Sequence, residues 1–457
     1  MNAISSGSSS AVLWRRSSSP VETEDESAPA GVRGILRNRA FLALWGAQIL
    51  SQVAANATTF ALIVLVGEIT KSNTSSSILI LLAILPAVAF GVLAGVIVDR
   101  TDRKRVLVIT NALRAAAVVP LLVLGQSVAA AYIVNFLVAA ITVFFVPAES
   151  ATIPAIVRKK DLLVANSLFT FTFNGAFLMG FIILAPLVIA LSGYDALFIV
   201  IGVMFAGAAL LCLTVPSVAA PVLKDHLGVQ VAGAAVKQTL GGMGEAFTYL
   251  RRHPAVVWSL VYIALTYMLV AVAGALAPGF VREVLGLGEK NVIVLVGPAG
   301  LGVVFGLGAL NVIGGRLEPT RAIGIGLLVT AGALLVLALE RPLADVFRTA
   351  TGPNEAFPFF VAVVSLTAFV FGIAYAFITV PSMTRLQSEL HDDIRGRIFG
   401  VLNTLVSVFS FLPLIVVGPV ADIYGVAPVF FGAAVTCVAA WAGGRASRRR
   451  SHAIPTS

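Results

Sequence analysis

Ionisable side chains are scarce in this 457-residue chain, and their placement gives them chemical meaning. One cluster runs Asp99-Arg100-Thr101-Asp102-Arg103-Lys104-Arg105 and follows Gly95; the spacing from Arg100 to Arg105 returns at Arg316 and Arg321, after Gly315. Asp99 can accept hydrogen bonds from a facing helix N-terminus or pair with a nearby Arg, and the basic cluster can meet anionic head groups. Arg114 lies nine residues beyond Arg105, about 13 Å further along a helix, with Asn111 on the same face. An ionised group inside an apolar span costs at least about 2.5 kcal/mol at the bilayer centre, so Arg114 is the first candidate for a functional charge. Its bland reading is a cation bridging two helices. Glu149 falls at the end of an apolar run, where it can pair with Arg100 or Arg103 or simply face water. Glu68 and Asp422 stand near the ends of two other runs. These are gate and coupling candidates. Catalytic arrangements are lacking: there is no G-x-x-x-x-G-K-[ST] loop, and His226, His253, His391 and His452 fall in polar segments without a second ligand at metal spacing. Neither enzyme chemistry, a cofactor nor a metal is expected.

The elements that must position these residues follow from composition. Apolar residues make up 58% of the chain and charged ones 12%, with a mean hydropathy of +0.98. So little charge cannot cover a soluble protein of this size, whereas helices of about 20 residues crossing a hydrocarbon slab need none. Apolar runs near 40–68, 76–98, 106–126, 128–147, 167–191 and 195–215 are followed by six more near 256–281, 291–314, 322–340, 357–381, 397–420 and 424–443. The fold class is therefore all-α integral membrane, with twelve transmembrane helices in two six-helix halves. Residues 1–39 read as a disordered tail, 40–215 as the first bundle, 216–255 as a central loop, 256–443 as the second bundle and 444–457 as a basic tail. Within the loop, Val236, Leu240, Met243, Phe247 and Leu250 recur at helical spacing and predict an amphipathic surface helix. Cys212 and Cys437 sit in apolar runs as small hydrophobes.

The net charge of +9 belongs to orientation, because the basic residues lie in short clusters between apolar runs and form no nucleic-acid patch. On alternate sides of the twelve-span arrangement, 25 Lys and Arg fall with the tails and 5 opposite, and Arg114 accounts for the last of the 31. Both termini are expected in the cytoplasm of a multi-pass cell-membrane protein. Trp45, Trp258 and Trp441 fall at the ends of spans on that side. The halves echo one another: Gly91-Val-Leu-Ala-Gly95 leads into the first basic cluster and Gly302-Val-Val-Phe-Gly306 into the second, while Pro147 and Asn166, then Pro381 and Asn403, bracket corresponding loops.

The segment Gly95-Val-Ile-Val-Asp99-Arg100-Thr-Asp102-Arg103-Lys104-Arg105 resembles the signature loop of the major facilitator superfamily, departing from it at Asp102, where glycine is usual. Pro147–Pro154 with Ala165–Leu168, Gly244–Pro254 and Arg395–Gly400 resemble the branch holding the enterobactin exporter and macrolide efflux proteins. The resemblance implies a secondary transporter working by alternating access, with the loop latching the halves on the cytoplasmic side. Gly95 is expected to admit a close helix approach there. It also places spans one, four, seven and ten around a central cavity, and so points to Gln52, Asn56, Asn135, Tyr267 and Tyr375 as the lining. Neutral polar groups among Phe and Leu suit an amphiphilic substrate. The chain lacks the Arg in span four carried by many proton-coupled drug antiporters, and Gly180-Phe-Ile-Ile-Leu-Ala-Pro186 is only a remnant of their Gly-Pro-rich span five. The function expected is export of a drug, macrolide or siderophore along an ion gradient by a monomer, with a small molecule, the bilayer and protons as partners and no nucleic acid. A lysolipid or metabolite transporter of the same fold, or a receptor or assembly factor that does not transport, are the alternatives.

Overall fold

A computed structural model describes residues 34–124, 127–217, 249–313, 317–351, 353–389 and 392–452. Among these residues the secondary structure is helical throughout, without strands. The first half contains α1 (Arg39–Thr70), α2 (Asn73–Asp99), α3 (Arg103–Val123), α4 (Val128–Ile156), α5 (Leu162–Phe177) and α6 (Ala185–Leu213). A π-helical segment, Leu178–Leu184, joins α5 to α6, and the chain turns inside α6 at Gly193, whose φ of 80° is open to glycine. The second half contains α7 (Pro254–Glu283), α8 (Ile293–Ile313), α9 (Pro319–Thr351), α10 (Pro353–Glu389), α11 (Asp392–Tyr424) and α12 (Ala427–His452). Among the described residues, ten stretches are long and apolar enough to cross a membrane. One of them, Lys159–Leu213, has 55 residues, enough for two crossings on either side of Gly193, and α11 carries a shorter apolar stretch, Leu412–Tyr424. The central loop and its predicted amphipathic helix lie largely outside the described residues, as do Gly315 and Arg316.

Packing repeats between the halves. α1 lies on α6 as α7 lies on α12, α3 on α4 and α6 as α9 on α10 and α12, and α2 on α4 as α8 on α10. Across the halves, α2 meets α11 and the π-helical segment meets α8. Glycine permits several of these approaches. A Cβ at Gly302 would run into the Phe369 carbonyl, and one at Gly372 into the Ala299 carbonyl, so α8 and α10 touch backbone to backbone.

Span ends differ from expectation on the face bearing the signature loop. α4 continues to Ile156 and α10 to Glu389, so Pro147 and Pro381 lie inside helices and do not bound the loops after them. Proline is tolerated in such helices because neighbours re-satisfy the freed backbone groups. The extension carries Glu149 into a helix interior. Trp45 also does more than anchor at an interface: its Nε1 donates to Thr172 Oγ1 on α5 at 2.7 Å. Trp258 packs against Gly443 and Trp441 against Gly324.

Candidate functional site

The strongest electrostatic feature lies inside the first half. Arg114 on α3 is 1% exposed and Glu149 on α4 is 6% exposed. Arg114 Nη1 donates to Ser51 Oγ of α1 at 2.7 Å, and Ser51 Oγ donates to Asn111 Oδ1 at 3.0 Å. Asn111 Nδ2 in turn donates to the Leu107 carbonyl at 3.0 Å and reaches Cys212 Sγ of α6 at 3.7 Å. The guanidinium carbon stands 4.3 Å from the centre of the Phe145 ring and 5.5 Å from that of Phe205, so aromatic faces from α4 and α6 bracket the cation. Glu149 and Arg114 are near enough for each charge to act on the other. Arg114 Nε and Nη2 and Glu149 Oε1 have no hydrogen-bond partner. Such orphaned polar atoms are rare in a well-packed interior. The expected exposed or gate-paired Glu149 is thereby corrected: helix α4 turns it inward toward Arg114. Arg103 instead sends Nη1 to the Ala151 carbonyl at 2.7 Å.

The signature loop lies at the end of this bundle. Asp99 and Arg100 are exposed at the C-terminus of α2, Lys104 is half-buried, and Arg105 is exposed beside Asp102 at 3.7 Å. Asp102 is the N-cap of α3, accepting the Lys104 N–H at 3.1 Å and the Ser217 hydroxyl at 2.7 Å. A glycine there could not do this, so the departure from the family pattern has a local structural use. Among the described residues an added Cβ at Gly91 or Gly95 would meet nothing within 4 Å, so none of them makes the close approach expected of Gly95. Arg321 pairs with Glu318 of its own turn at 3.4 Å.

The expected cavity residues divide into two groups. Tyr267, midway along α7, is 40% exposed, and its hydroxyl meets that of Tyr375 on α10. Asn56 is half-buried, and its Nδ2 donates to the Gln52 carbonyl one turn back at 2.8 Å. Gln52 itself is buried. Asn135 is not available to a substrate: it is buried and donates to the Leu79 carbonyl of α2 at 2.6 Å, joining two helices. The segment after α5 is more than a remnant. Gly180 places its backbone where a Cβ would strike the Val53 carbonyl, and Ile182 and Leu178 abut Gly300 of α8. A π-helical turn is a common mark of a functional site, and the adjacent Gly180 and Pro186 were its available sequence signal.

On the face opposite the signature loop, Glu68 Oε2 accepts the Tyr194 hydroxyl at 2.7 Å, tying α1 to α6. Asp422 crosses between the halves: it accepts from Ser72 Oγ at 2.7 Å, Asn73 N at 2.7 Å, Thr74 N at 3.0 Å and Thr74 Oγ1 at 2.6 Å. Asn73 Nδ2 donates to Glu283 Oε1 at 3.2 Å, and Arg282 holds the same oxygen at 2.9 Å. Nothing in the spacing of Ser72–Thr74 pointed to α11, because the contact forms only when the halves meet.

Two pseudo-symmetric groups of apolar helices, the first enclosing the buried Arg114 and Glu149, have the architecture of a multi-span membrane transporter. The profile of the Major Facilitator Superfamily matches residues 44–413, and the chain belongs to that superfamily. It is a membrane transport protein by family and fold. Macrolide efflux protein A of Streptococcus pyogenes is 24% identical over 412 residues, covering 87% of this chain and 94% of the relative. An uncharacterized MFS-type transporter, YfiS, of Bacillus subtilis strain 168 is 21% identical, covering 79% and 82%. Among solved structures, the nucleoside transporter NupG superposes with a TM-score of 0.65 at 15% identity, covering 89% of this chain and 98% of its own. A bacterial homolog of the human lysosomal transporter Spinster, inward-facing and unoccupied, gives 0.65 at 14% identity, covering 90% and 97%.

Proposed function

We propose that the protein exports an amphiphilic small molecule, a drug, macrolide or siderophore, across the cell membrane by alternating access, using an inward proton gradient. The observation that carries this reading is the asymmetry along α2. Its Asn73 end is bonded across the halves, while Gly91 and Gly95 near its other end meet no atom of the described residues where a Cβ would stand. With both termini in the cytoplasm, such a shape would be closed outside and looser inside, suited to loading a substrate from within. The paired tyrosines Tyr267 and Tyr375, together with Asn56, would offer aromatic surface and a few neutral hydrogen-bonding groups. The likeness to macrolide efflux protein A supports this class of substrate.

Glu149 would hold the coupling proton, with Arg114 as its resident counter-charge, since both are buried and retain unpartnered polar atoms. Asp99, Arg100 and Arg103, with Arg316 and Arg321 of the second half, would form the cytoplasmic latch in the opposite conformation. The protein would act as a monomer. Accumulation of a labelled macrolide in inside-out vesicles, with and without an imposed pH gradient, tests the whole reading. Gradient-dependent accumulation that is lost in Glu149→Gln, with downhill flux retained, is the expected result. Accumulation indifferent to the gradient removes the coupling claim.

A further inference from the structure

An α-helix begins with backbone N–H groups that have no partner inside the helix, and the first turn of α2 meets this need with residues from both halves of the protein. Ser72 Oγ, in the same half, accepts the Ser75 N–H at 3.3 Å. The Asn73 and Thr74 N–H groups are taken by Asp422, at the far end of α11. The Ser72 and Thr74 hydroxyls add two more donors to the same carboxylate. Two glycines make room for this seat. A Cβ on Gly418 would press on Ser77 and the Thr74 Cα, and one on Gly279 would overlap the Asn73 side chain.

We infer that Asp422 is the outer gate clasp: its ionised carboxylate caps α2 from the opposite half, and the halves separate on this face only when that set of bonds is broken. The inference rests on the alternating-access reading and names one device within it. An ionised carboxylate accepts at both oxygens, whereas the protonated group turns one of them into a donor and cannot satisfy four donors. Opening must therefore break a set of charge-assisted bonds together. The other charged groups facing this site are Lys71 just before α2, and Arg282 and Glu283 on α7. The first turn of α12, which packs on α11, carries no acidic residue.

The test is a distance measurement between spin labels at Asp195→Cys and Asn291→Cys, exposed positions beyond the clasp in the first and second halves, with the full chain in lipid nanodiscs. Native Cys212 and Cys437 are buried. In Asp422→Ala the ratio of separated to closed outer faces should rise about tenfold, the worth of one charge-assisted hydrogen bond at a wet site. Asp422→Asn should fall between it and the parent. Thr74→Val, which removes a donor from the other half, should shift the ratio the same way and add little on top of Asp422→Ala. Lowering the pH from 7 to 5 should leave the label distances of the parent unchanged, because the upward push of burial is outweighed by the hydrogen bonds from Thr74, Ser72 and Asn73, which hold the Asp422 carboxyl below the usual carboxylate range. Unchanged distances in both Asp422 variants overturn the clasp. No substrate is needed, so failure here leaves the export reading to its own vesicle assay.

Discussion

Replacing Arg114 by Met removes a cation that is 1% exposed and touches four helices' worth of side chains: Ser51, Asn111, Phe145 and Phe205 with Cys212 beside them. Ser51 and Asn111 remain bonded to each other, so the loss falls chiefly on Glu149, which becomes a buried carboxylate without a compensating charge. Stranding one member of a direct buried ion pair costs about 3–5 kcal/mol; here the two groups make no direct bond and the carboxyl can take up a proton, so the cost should fall below that range. Glu149→Gln alone should cost less, because Arg114 keeps the Ser51 bond and both aromatic faces. The double variant Arg114→Met/Glu149→Gln should be more stable than Arg114→Met alone, with an interaction energy of about 0.5–3 kcal/mol. Unfolding free energies from SDS titration of the four proteins close this cycle. Additivity within about 0.5 kcal/mol would refute the claim that the two charges act on each other.

Further outcomes follow from other positions. Gly180→Val forces a side chain against the Val53 carbonyl and should cost about 1–3 kcal/mol or more in the same titration. Gly95→Val meets open space in this conformation, so its stability should be unchanged while vesicle transport falls if the opposite conformation closes the helices there. Asp102→Ala removes the cap of α3 and should cost about 0.5–2 kcal/mol, with Asp102→Ser recovering most of it. Tyr267→Phe should leave stability within about 1 kcal/mol, the usual scale of an interhelical hydrogen bond, and alter transport affinity for substrates that carry hydrogen-bonding groups.

Composition and periodicity alone determined that this chain lives in lipid as a bundle of helices in two echoing halves, because hydrocarbon tolerates neither charge nor unpaired backbone. The scarcity of charge also singled out Arg114, and the motif around Asp99 pointed to the superfamily. Tertiary structure decided which charges meet. Glu149 reads as a helix-end carboxylate until α4 continues past Pro147 and turns it toward Arg114. Asn135 reads as a cavity residue until the Leu79 carbonyl claims its amide. Asp422 and Ser72 are 350 residues apart, and no local pattern links them. Their pairing depends on how two separately folded halves lean together, and a one-dimensional pattern of apolar spans leaves that angle open.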